Sequence, residues 1–357
     1  MDEPDHVTST LYVDPIDEAP GAFVEDPARK RMLGLAYLVP GLIIGLLALF
    51  VLRSMDATWR GVIGFAGFGL VFAGAQTLGR LRYGATFSVG LWLAIFWLVL
   101  TLFCAIFADL LPLDHYDKVP KFGQIDRPAL EIDEPLGRDT FGRSNLSRVI
   151  YGARVSLTIA GITVVFGLVL GSIVGMLGGY LGGPVDYILN IFINSTLAFP
   201  PLILLITIIG VYKPSIASIS GALVVLSIPA YSRIMRAQTI ALREREFVLA
   251  ARSMGASTRR ILVKEILPNA MLAVAAYTFI QAAVIIVAEG SLAFLGLGIP
   301  PPRPSWGTMI ADGLLKLKTD PHVVFVPATV MFLTVVSFNR VGDYARRKAI
   351  GERDEVS

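Results

Sequence analysis

Long uninterrupted apolar runs constrain this chain more than any other feature of its sequence. A helix that crosses the roughly 30 Å hydrocarbon core of a bilayer needs about 20 apolar residues. Runs close to that length recur along the chain, in which 54% of the residues are hydrophobic and only 17% are charged. We therefore predict an all-α, polytopic transmembrane helical bundle of about eight spans. The predicted spans are Leu33 to Leu52, Gly61 to Leu78, Thr86 to Ala108, Val155 to Gly178, Tyr187 to Tyr212, Ile216 to Ser232, Met271 to Leu295 and Val323 to Asn339.

The distribution of Lys and Arg predicts how these spans are oriented, since short cytoplasmic loops are enriched in basic residues. Three basic residues at 29–31 precede the first run, and the 233–265 loop carries eight basic against three acidic residues. Three more basic residues stand at 346–348. Eight spans then place both termini in the cytoplasm and the 109–154 loop outside.

A stripe of small residues marks one face of the fourth run. Glycines recur there every four positions, so they share one side of a helix. Such faces let helices approach closely in lipid, which favours helix packing, and a moving seam between helices is the alternative. The stripe consists of Gly167, Gly171, Gly175 and Gly179.

Ionisable residues are scarce inside the predicted spans. Glu289 is the one that lies well within a run, and Asn190 and Asn194 are the notable amides. We interpret all three as candidates for the pathway or its gate, while interhelical hydrogen bonding is the structural alternative. The chain holds one cysteine, and its three histidines lie far apart, so we predict neither a metal site nor a nucleophilic catalytic site.

The stretch EREFVLAARSMGASTRRILVKEILPNA, residues 244–270, is basic and helix-prone between two apolar runs. Gly255 suits the left-handed position that ends a helix, and Ser257 is able to cap a second helix. Pro268 is expected to break that second helix before the seventh span begins. Physical reasoning leaves two interpretations open: a pair of short helices that fits a groove in another protein, or an amphipathic loop on lipid head groups.

The same stretch resembles the EAA loop of importer-type ABC permeases. The matching residues are Ala250, Ala251, Gly255, Leu267 and Pro268, while Leu249 and Glu265 depart from the pattern.

Two further segments resemble the second permease subunit of dipeptide, oligopeptide and nickel importers. They are LGRDTFGRSNLSRVIYGARVSL at 136–157 and FLGLGIPPPRPSWG at 294–307. The resemblance covers about residues 86–345. It departs at Ser144, Asn194 and Arg347, where the family usually has Asp.

This resemblance implies a permease subunit of a bacterial ATP-driven importer, most simply one for di- and oligopeptides. Its implied partners are two ABC ATPase subunits, a second homologous permease subunit, an extracytoplasmic solute-binding protein and the lipid bilayer, with no nucleic acid. The chain carries no Walker motif, so it is expected to bind no cofactor and to leave the hydrolysis of ATP-Mg to partner subunits. The implied ATPase-coupling loop includes Glu246, Phe247, Ala250, Ala251, Gly255, Leu267 and Pro268.

The resemblance also divides the chain into regions. We expect an acidic cytoplasmic tail at 1–32, two extra N-terminal spans at 33–85, the permease core at 86–345 and a cytoplasmic tail at 346–357. The role of the extra spans stays open, as does the substrate. The alternatives are an importer of nickel or of another small solute, an ion-coupled carrier, and a membrane-bound enzyme.

The proline-rich loop after the seventh run is expected to be stiff, because proline fixes φ. It carries four prolines followed by Trp306. One interpretation is a rigid brace between the last two spans. The other is that Trp306 and Arg303 contact the binding protein or line the gate, since Trp and Arg are favoured interface anchors.

Overall fold

The structure is a computed structural model that describes residues 27–47, 57–83, 87–119 and 135–354. Most of the predicted acidic tail, the end of the first run at 48–52 and part of the predicted outer loop at 120–134 lie outside the described residues. The helices are α1 (Pro27–Leu46), α2 (Ala57–Tyr83), α3 (Val89–Ile106), α4 (Asn145–Leu181), α5 (Gly183–Ala198), α6 (Pro201–Val211), α7 (Ile216–Arg243), α8 (Glu246–Ser253), α9 (Thr258–Arg260), α10 (Leu267–Phe294), α11 (Trp306–Gly313) and α12 (His322–Asp354).

Helices account for the regular structure of the described residues, which include no strand. The prediction of an all-α membrane bundle is therefore confirmed. Five helices are long and apolar enough to cross a bilayer, and the pair α5–α6 makes a sixth if it crosses once. These six correspond to the last six predicted runs.

The first two predicted runs also form helices, α1 and α2, but neither is among the candidate spans of the described residues. α1 includes the basic residues 29–31, and the end of its apolar run lies outside the described part of the chain. Six of the eight predicted runs thus correspond to candidate spans, counting α5–α6 as one. The two extra N-terminal spans stay a prediction.

The fifth run is not the single straight span that its composition suggests. α5 and α6 meet at an angle of 91°. Phe199 ends α5 in an extended conformation with ψ 134°, and Pro200 is extended as well, with ψ 128°. The Pro200–Pro201 pair explains the break, since a residue before proline is driven out of the helical region.

The chain divides into two compact units, Met1–Val89 and Gly90–Ser357. Within the first unit, α1 and α2 pack backbone to backbone. A Cβ added to Gly41 would lie 2.6 Å from the Val71 nitrogen, and one added to Gly74 would lie 2.6 Å from the Leu38 nitrogen. Such contact is open only to glycine, so this helix pair depends on these positions.

In the second unit, the glycine stripe of α4 packs against α7. A Cβ on Gly171 would lie 2.6 Å from the Cβ of Tyr231, and one on Gly179 would lie 2.9 Å from the Arg236 carbonyl oxygen. Gly167 and Gly175 face α7 in the same way. This close pairing makes α4 and α7 the central pair of the unit.

Two apolar clusters lie along this pair. One contains Ile159, Ile219, Ile286 and Trp306. The other contains Tyr231 and Met235 of α7 together with residues of the 244–268 segment. The segment after α7 is therefore packed into the core of the same unit.

Candidate functional site

The short helix α8 is anchored by one face and exposed on the other. Val248 is 0% exposed and Ala251 is buried beside it. Phe247 and Leu249 are exposed, and Met254 at the end of the helix is 80% exposed. Large apolar side chains held in the open on a packed base are typical of a surface that another protein or the membrane surface covers.

The turn after α8 follows the sequence prediction. Gly255 has φ +78°, the left-handed conformation that suits glycine. A Cβ at this position would meet no atom within 4 Å. Ser257 then caps α9 by accepting a hydrogen bond from the Arg260 nitrogen at 3.4 Å.

Pro268 does not break the second helix, which corrects the sequence prediction. The chain is helical from Thr258 to Phe294, and residues Ile261–Ile266 form a π-helical turn. The Leu267 nitrogen accordingly bonds back to the Leu262 carbonyl, five residues earlier. This wider turn accommodates the proline ring, which would clash with the carbonyl four residues before it in a regular helix.

The remaining predicted coupling residues fall on both faces of the segment. Glu246 and Ala250 are exposed, and Pro268 is exposed at the start of α10. Leu267 is half-buried. The structure therefore brings Glu246, Phe247 and Ala250 to the open side of α8, while Ala251 faces inward.

Polar contacts join this segment to the central helix pair. The Arg252 guanidinium donates to the Tyr180 hydroxyl of α4 at 3.3 Å and lies 5.6 Å from the centre of its ring. Arg243 at the end of α7 donates to the Gly179 carbonyl of α4 at 3.2 Å. A displacement of α8 would act on α4 and α7 through these contacts and through the buried Val248.

The proline-rich loop is held by Trp306, whose side chain is fully buried. The indole Nε1 donates to the Val149 carbonyl at 3.1 Å, and the backbone nitrogen donates to Ser156 Oγ at 3.3 Å. Both acceptors belong to α4. Because a fully buried indole presents no surface to a soluble protein, this burial favours the brace interpretation over docking through the Trp306 side chain.

Glu289 of α10 belongs to the same anchor. The residue is 1% exposed, and its carboxylate accepts hydrogen bonds from Ser305 Oγ at 2.6 Å and from Ser156 Oγ at 3.2 Å. Ser305 also caps α11 through Thr308. Glu289 thus ties α4, α10 and the start of α11 together, and it does not face an open cavity.

The motif at 136–157 forms a tight turn around a buried carboxylate. Asp139 accepts hydrogen bonds from the backbone nitrogens of Phe141 at 2.8 Å and Arg143 at 2.9 Å, and from the Arg143 side chain at 2.8 Å. Gly142 has φ +78° within this turn. The buried Arg148 lies 3.3 Å from the same carboxylate.

A second carboxylate on this side of the unit is exposed. Asp109 accepts hydrogen bonds from Arg154 and from the Tyr151 hydroxyl, each at 2.9 Å. These donors, the Arg154 guanidinium first, lower the pKa of Asp109 below its ordinary value. The rings of His115 and Tyr116 pack near Tyr151.

Asn190 and Asn194 both lie on α5 and bond to charged side chains. Asn190 Nδ2 donates to the Asp186 carboxylate at 2.7 Å, and the Asn194 amide oxygen accepts from Arg233 of α7 at 3.1 Å. Arg236 of α7 makes two 2.6 Å hydrogen bonds to Asp186. The two asparagines therefore belong to a polar seam between α5 and α7.

Sequence reasoning missed the charged half of this seam. Asp186, Asn190 and Asn194 recur every four residues, which is the available signal for a shared helix face. Asp186 stands one residue before the predicted fifth run and therefore outside the predicted helix. Arg233 and Arg236 fall in the predicted 233–265 loop, whereas α7 extends to Arg243.

A family of proteins described as the binding-protein-dependent transport system inner membrane component matches residues 167–350. Among curated proteins, the chain is 33% identical over 242 residues to a dipeptide transport system permease protein of Alkalihalophilus pseudofirmus, covering 68% of this chain and 79% of the relative. It is 37% identical over 211 residues to a glutathione transport system permease protein of Escherichia coli, covering 59% of this chain and 70% of that relative.

Among solved structures, a chain of the inward-facing methionine ABC transporter MetNI is similar to this one. The match has a TM-score of 0.47 and 20% sequence identity. It covers 56% of this chain and 95% of that chain.

Proposed function

The chain belongs to the family of binding-protein-dependent transport system inner membrane components, as a permease subunit of an ABC importer, and we propose that it imports di- and oligopeptides. The names of its dipeptide and glutathione relatives support this substrate class. An importer of nickel or another small solute is the alternative.

The observation that carries the coupling mechanism is the two-sided burial of α8. Its exposed residues Phe247, Leu249 and Met254 would lie in a groove of an ATPase subunit, while Val248 keeps the helix fixed to the core. Closure of the ATPases on ATP would push α8 and shift α4 and α7 between inward-facing and outward-facing states. The change is a population shift biased by nucleotide on one side and by loaded binding protein on the other.

The proposed importer contains further subunits. Two ATPase subunits would bind ATP-Mg and hydrolyse it, a second homologous permease subunit would complete the pathway, and a binding protein would deliver the peptide. The polar seam between α5 and α7, which includes Asn190, has exposed members in Asn194 and Arg233, so it is the best candidate for a pathway wall. Glu289 and Trp306 act as anchors of the outer loop in this proposal.

Phe247→Ser combined with Met254→Ser tests the coupling surface. We expect the variant to insert and to keep its thermal stability, because both side chains are exposed, while the ATPase subunits no longer co-purify with it. Tyr212→Ser is the matched control, since it removes an exposed side chain at the far end of α6. Full co-purification of the ATPases with the double variant would refute the groove assignment.

Reconstitution of the complete importer in proteoliposomes tests the transport class. Peptide uptake should require ATP inside the vesicles and binding protein outside, and it should survive the collapse of all ion gradients. Uptake driven by an ion gradient without ATP would instead identify a secondary carrier. Uptake of Ni²⁺ and not of peptide would select the alternative substrate.

The topology and the two N-terminal helices are proposals of their own. We place the protein in a bacterial plasma membrane with both termini cytoplasmic, which requires α5–α6 to cross the bilayer once. The core resembling the family begins near residue 86, so a chain that starts near Gly79 with a new Met should insert and bind the ATPases. Loss of the complex on this truncation would show that α1 and α2 brace the core.

A further inference from the structure

A cavity of about 940 Å³ opens between the proline-rich loop, the turn around Asp139 and helix α11. Its volume falls within the range of roughly 300–1,000 Å³ that is usual for small-molecule sites. A second cavity of about 350 Å³ adjoins Tyr116 and Tyr151. Both lie on the side of the core that the predicted topology places outside the cell, where substrate enters.

Arg303 lines both cavities. Its side chain is exposed, and within the described residues it makes no hydrogen bond or ion pair. Other guanidinium groups nearby are engaged: Arg143 is paired with Asp139, and Arg154 is paired with Asp109. Arg303 is therefore a guanidinium whose donors are available to a ligand.

The loop holds Arg303 in a fixed place. Prolines precede it at 300–302 and follow it at 304, and proline fixes φ. The next two residues, Ser305 and Trp306, are fully buried, and Ser305 is bonded to Glu289. The backbone at Arg303 is therefore fixed, while its exposed side chain is free to turn toward a ligand in either cavity.

The larger cavity is lined by more basic than acidic side chains, and Asp139 behind the lining offsets part of that charge by pairing with Arg143 and Arg148. Its basic lining residues are Arg143, Arg148, Arg303 and Lys316, and its acidic ones are Asp117 and Asp312. Arg148 is 4% exposed, and its Nη1 has no hydrogen-bond partner within the described residues. The lining therefore favours an anionic ligand over a cation.

We propose that this cavity receives the C-terminal carboxylate of the incoming peptide and that Arg303 binds it. The planar guanidinium matches the two oxygens of a carboxylate. The prolines of the loop and the ring of Phe141 in the larger cavity offer apolar contact to peptide side chains. The assignment rests on the proposed function, because it presumes that the substrate is a peptide.

The test compares one tripeptide with a free C-terminal carboxylate and the same tripeptide with a C-terminal amide. Each is loaded on the binding protein to the same occupancy and taken up by proteoliposomes that contain the complete importer and ATP. Arg303→Gln should lower uptake of the carboxylate form by about tenfold or more, the size expected for one charged hydrogen-bonding contact. Uptake of the amide form should stay within about twofold of wild type, a change below half a kcal/mol.

Two variants control for charge. Lys318→Gln removes one positive charge from the same region, and Lys318 is not among the residues that line either cavity. It should leave both uptake rates unchanged. Arg303→Lys keeps the positive charge but loses the planar pair of N–H donors. Its uptake of the carboxylate form should lie between those of wild type and Arg303→Gln.

The outcomes separate the possibilities. An equal loss of both peptides in Arg303→Gln would show that Arg303 contacts the binding protein or shapes the loop, and it would overturn the carboxylate site. Unchanged uptake of both would overturn it as well. If the wild-type importer takes up neither peptide with ATP, the proposed function itself fails, and the site assignment fails with it.

Discussion

The proline-rich loop at 296–308 and the segment at 244–268 are both connections beside membrane helices, yet they are fixed in opposite ways. The proline-rich loop is held by buried hydrogen bonds, with Glu289 and Trp306 at their centre. The 244–268 segment is held by apolar packing of Val248 and Ile266, while Phe247 and Met254 remain exposed.

This difference shows where each region finds its partners. The side chains that fix the proline-rich loop satisfy one another within the chain, so the loop keeps its shape without a neighbour. The 244–268 segment leaves its largest apolar side chains open, and this exposure is the basis of its proposed contact with an ATPase subunit. Substitutions should therefore affect stability in the first region and coupling in the second.

Trp306→Ala should have the largest effect on stability. It removes a side chain that is 0% exposed, and truncation of a buried Trp costs about 3–5 kcal/mol of unfolding free energy. Thermal unfolding in detergent should show this loss, with basal ATPase activity of the complex falling in parallel. Leu295→Ala, at a half-exposed position beside the same loop, should change stability far less.

A matched variant separates the hydrogen bond from the packing of this residue. Trp306→Phe keeps much of the ring and loses the donor to Val149, at a cost of about 0.5–1.5 kcal/mol for one hydrogen bond, because the Val149 carbonyl also lies within helix α4. If Trp306→Ala keeps full stability but lowers stimulation by the binding protein, the indole acts in docking and the comparison of the two regions fails.

Gly255→Val should abolish transport with a smaller change in stability. The residue has φ +78°, and a β-branched side chain in this conformation costs about 1–3 kcal/mol. Since an added Cβ would meet no atom within 4 Å, the substitution creates no clash, and the packing around Glu289 and Trp306 should stay intact. Gly255→Asn should retain transport, because Asn tolerates the left-handed region. Full uptake by Gly255→Val would contradict the coupling role of this turn.

Glu289→Gln distinguishes an anchor from a gate. An amide in place of the carboxylate keeps the shape but weakens the bonds from Ser156 and Ser305, which should cost about 1–2 kcal/mol. Transport should then fall only as far as the amount of folded protein falls. A change in uptake per folded complex, measured after size-exclusion chromatography, would show that Glu289 acts in the pathway or its gate.

The sequence predicted the helical class, because runs of about 20 apolar residues leave few alternatives in a bilayer. It also predicted the left-handed turn at Gly255, since glycine suits that conformation. It missed the 91° break between α5 and α6, where composition is apolar on both sides and only the Pro200–Pro201 pair signals the change.

The interior of the candidate site was harder to predict. Glu289 lies within an apolar run, and its two hydroxyl partners are 133 and 16 positions away. Tertiary packing alone decides whether such a carboxylate faces a pathway or a buried anchor. Pro268 was expected to end a helix, but a π-helical turn before it absorbs the steric conflict.

Asp109→Asn should have the smallest effect, and its pH dependence identifies the cause. Bonds from Arg154 and Tyr151 lower the pKa of Asp109 below its ordinary value of 3.8. A carboxyl with a lowered pKa stabilises the folded state fully above 3.8 and loses that contribution as the pH falls through its folded-state pKa. The difference in unfolding midpoint between wild type and Asp109→Asn should thus be constant near neutral pH and shrink in acid. Arg154→Gln should reduce this difference more than Tyr151→Phe does, since the Arg154 bond is the larger cause. A difference that persists unchanged in acid would show that Asp109 contributes through its packing and not through the charge of its carboxylate.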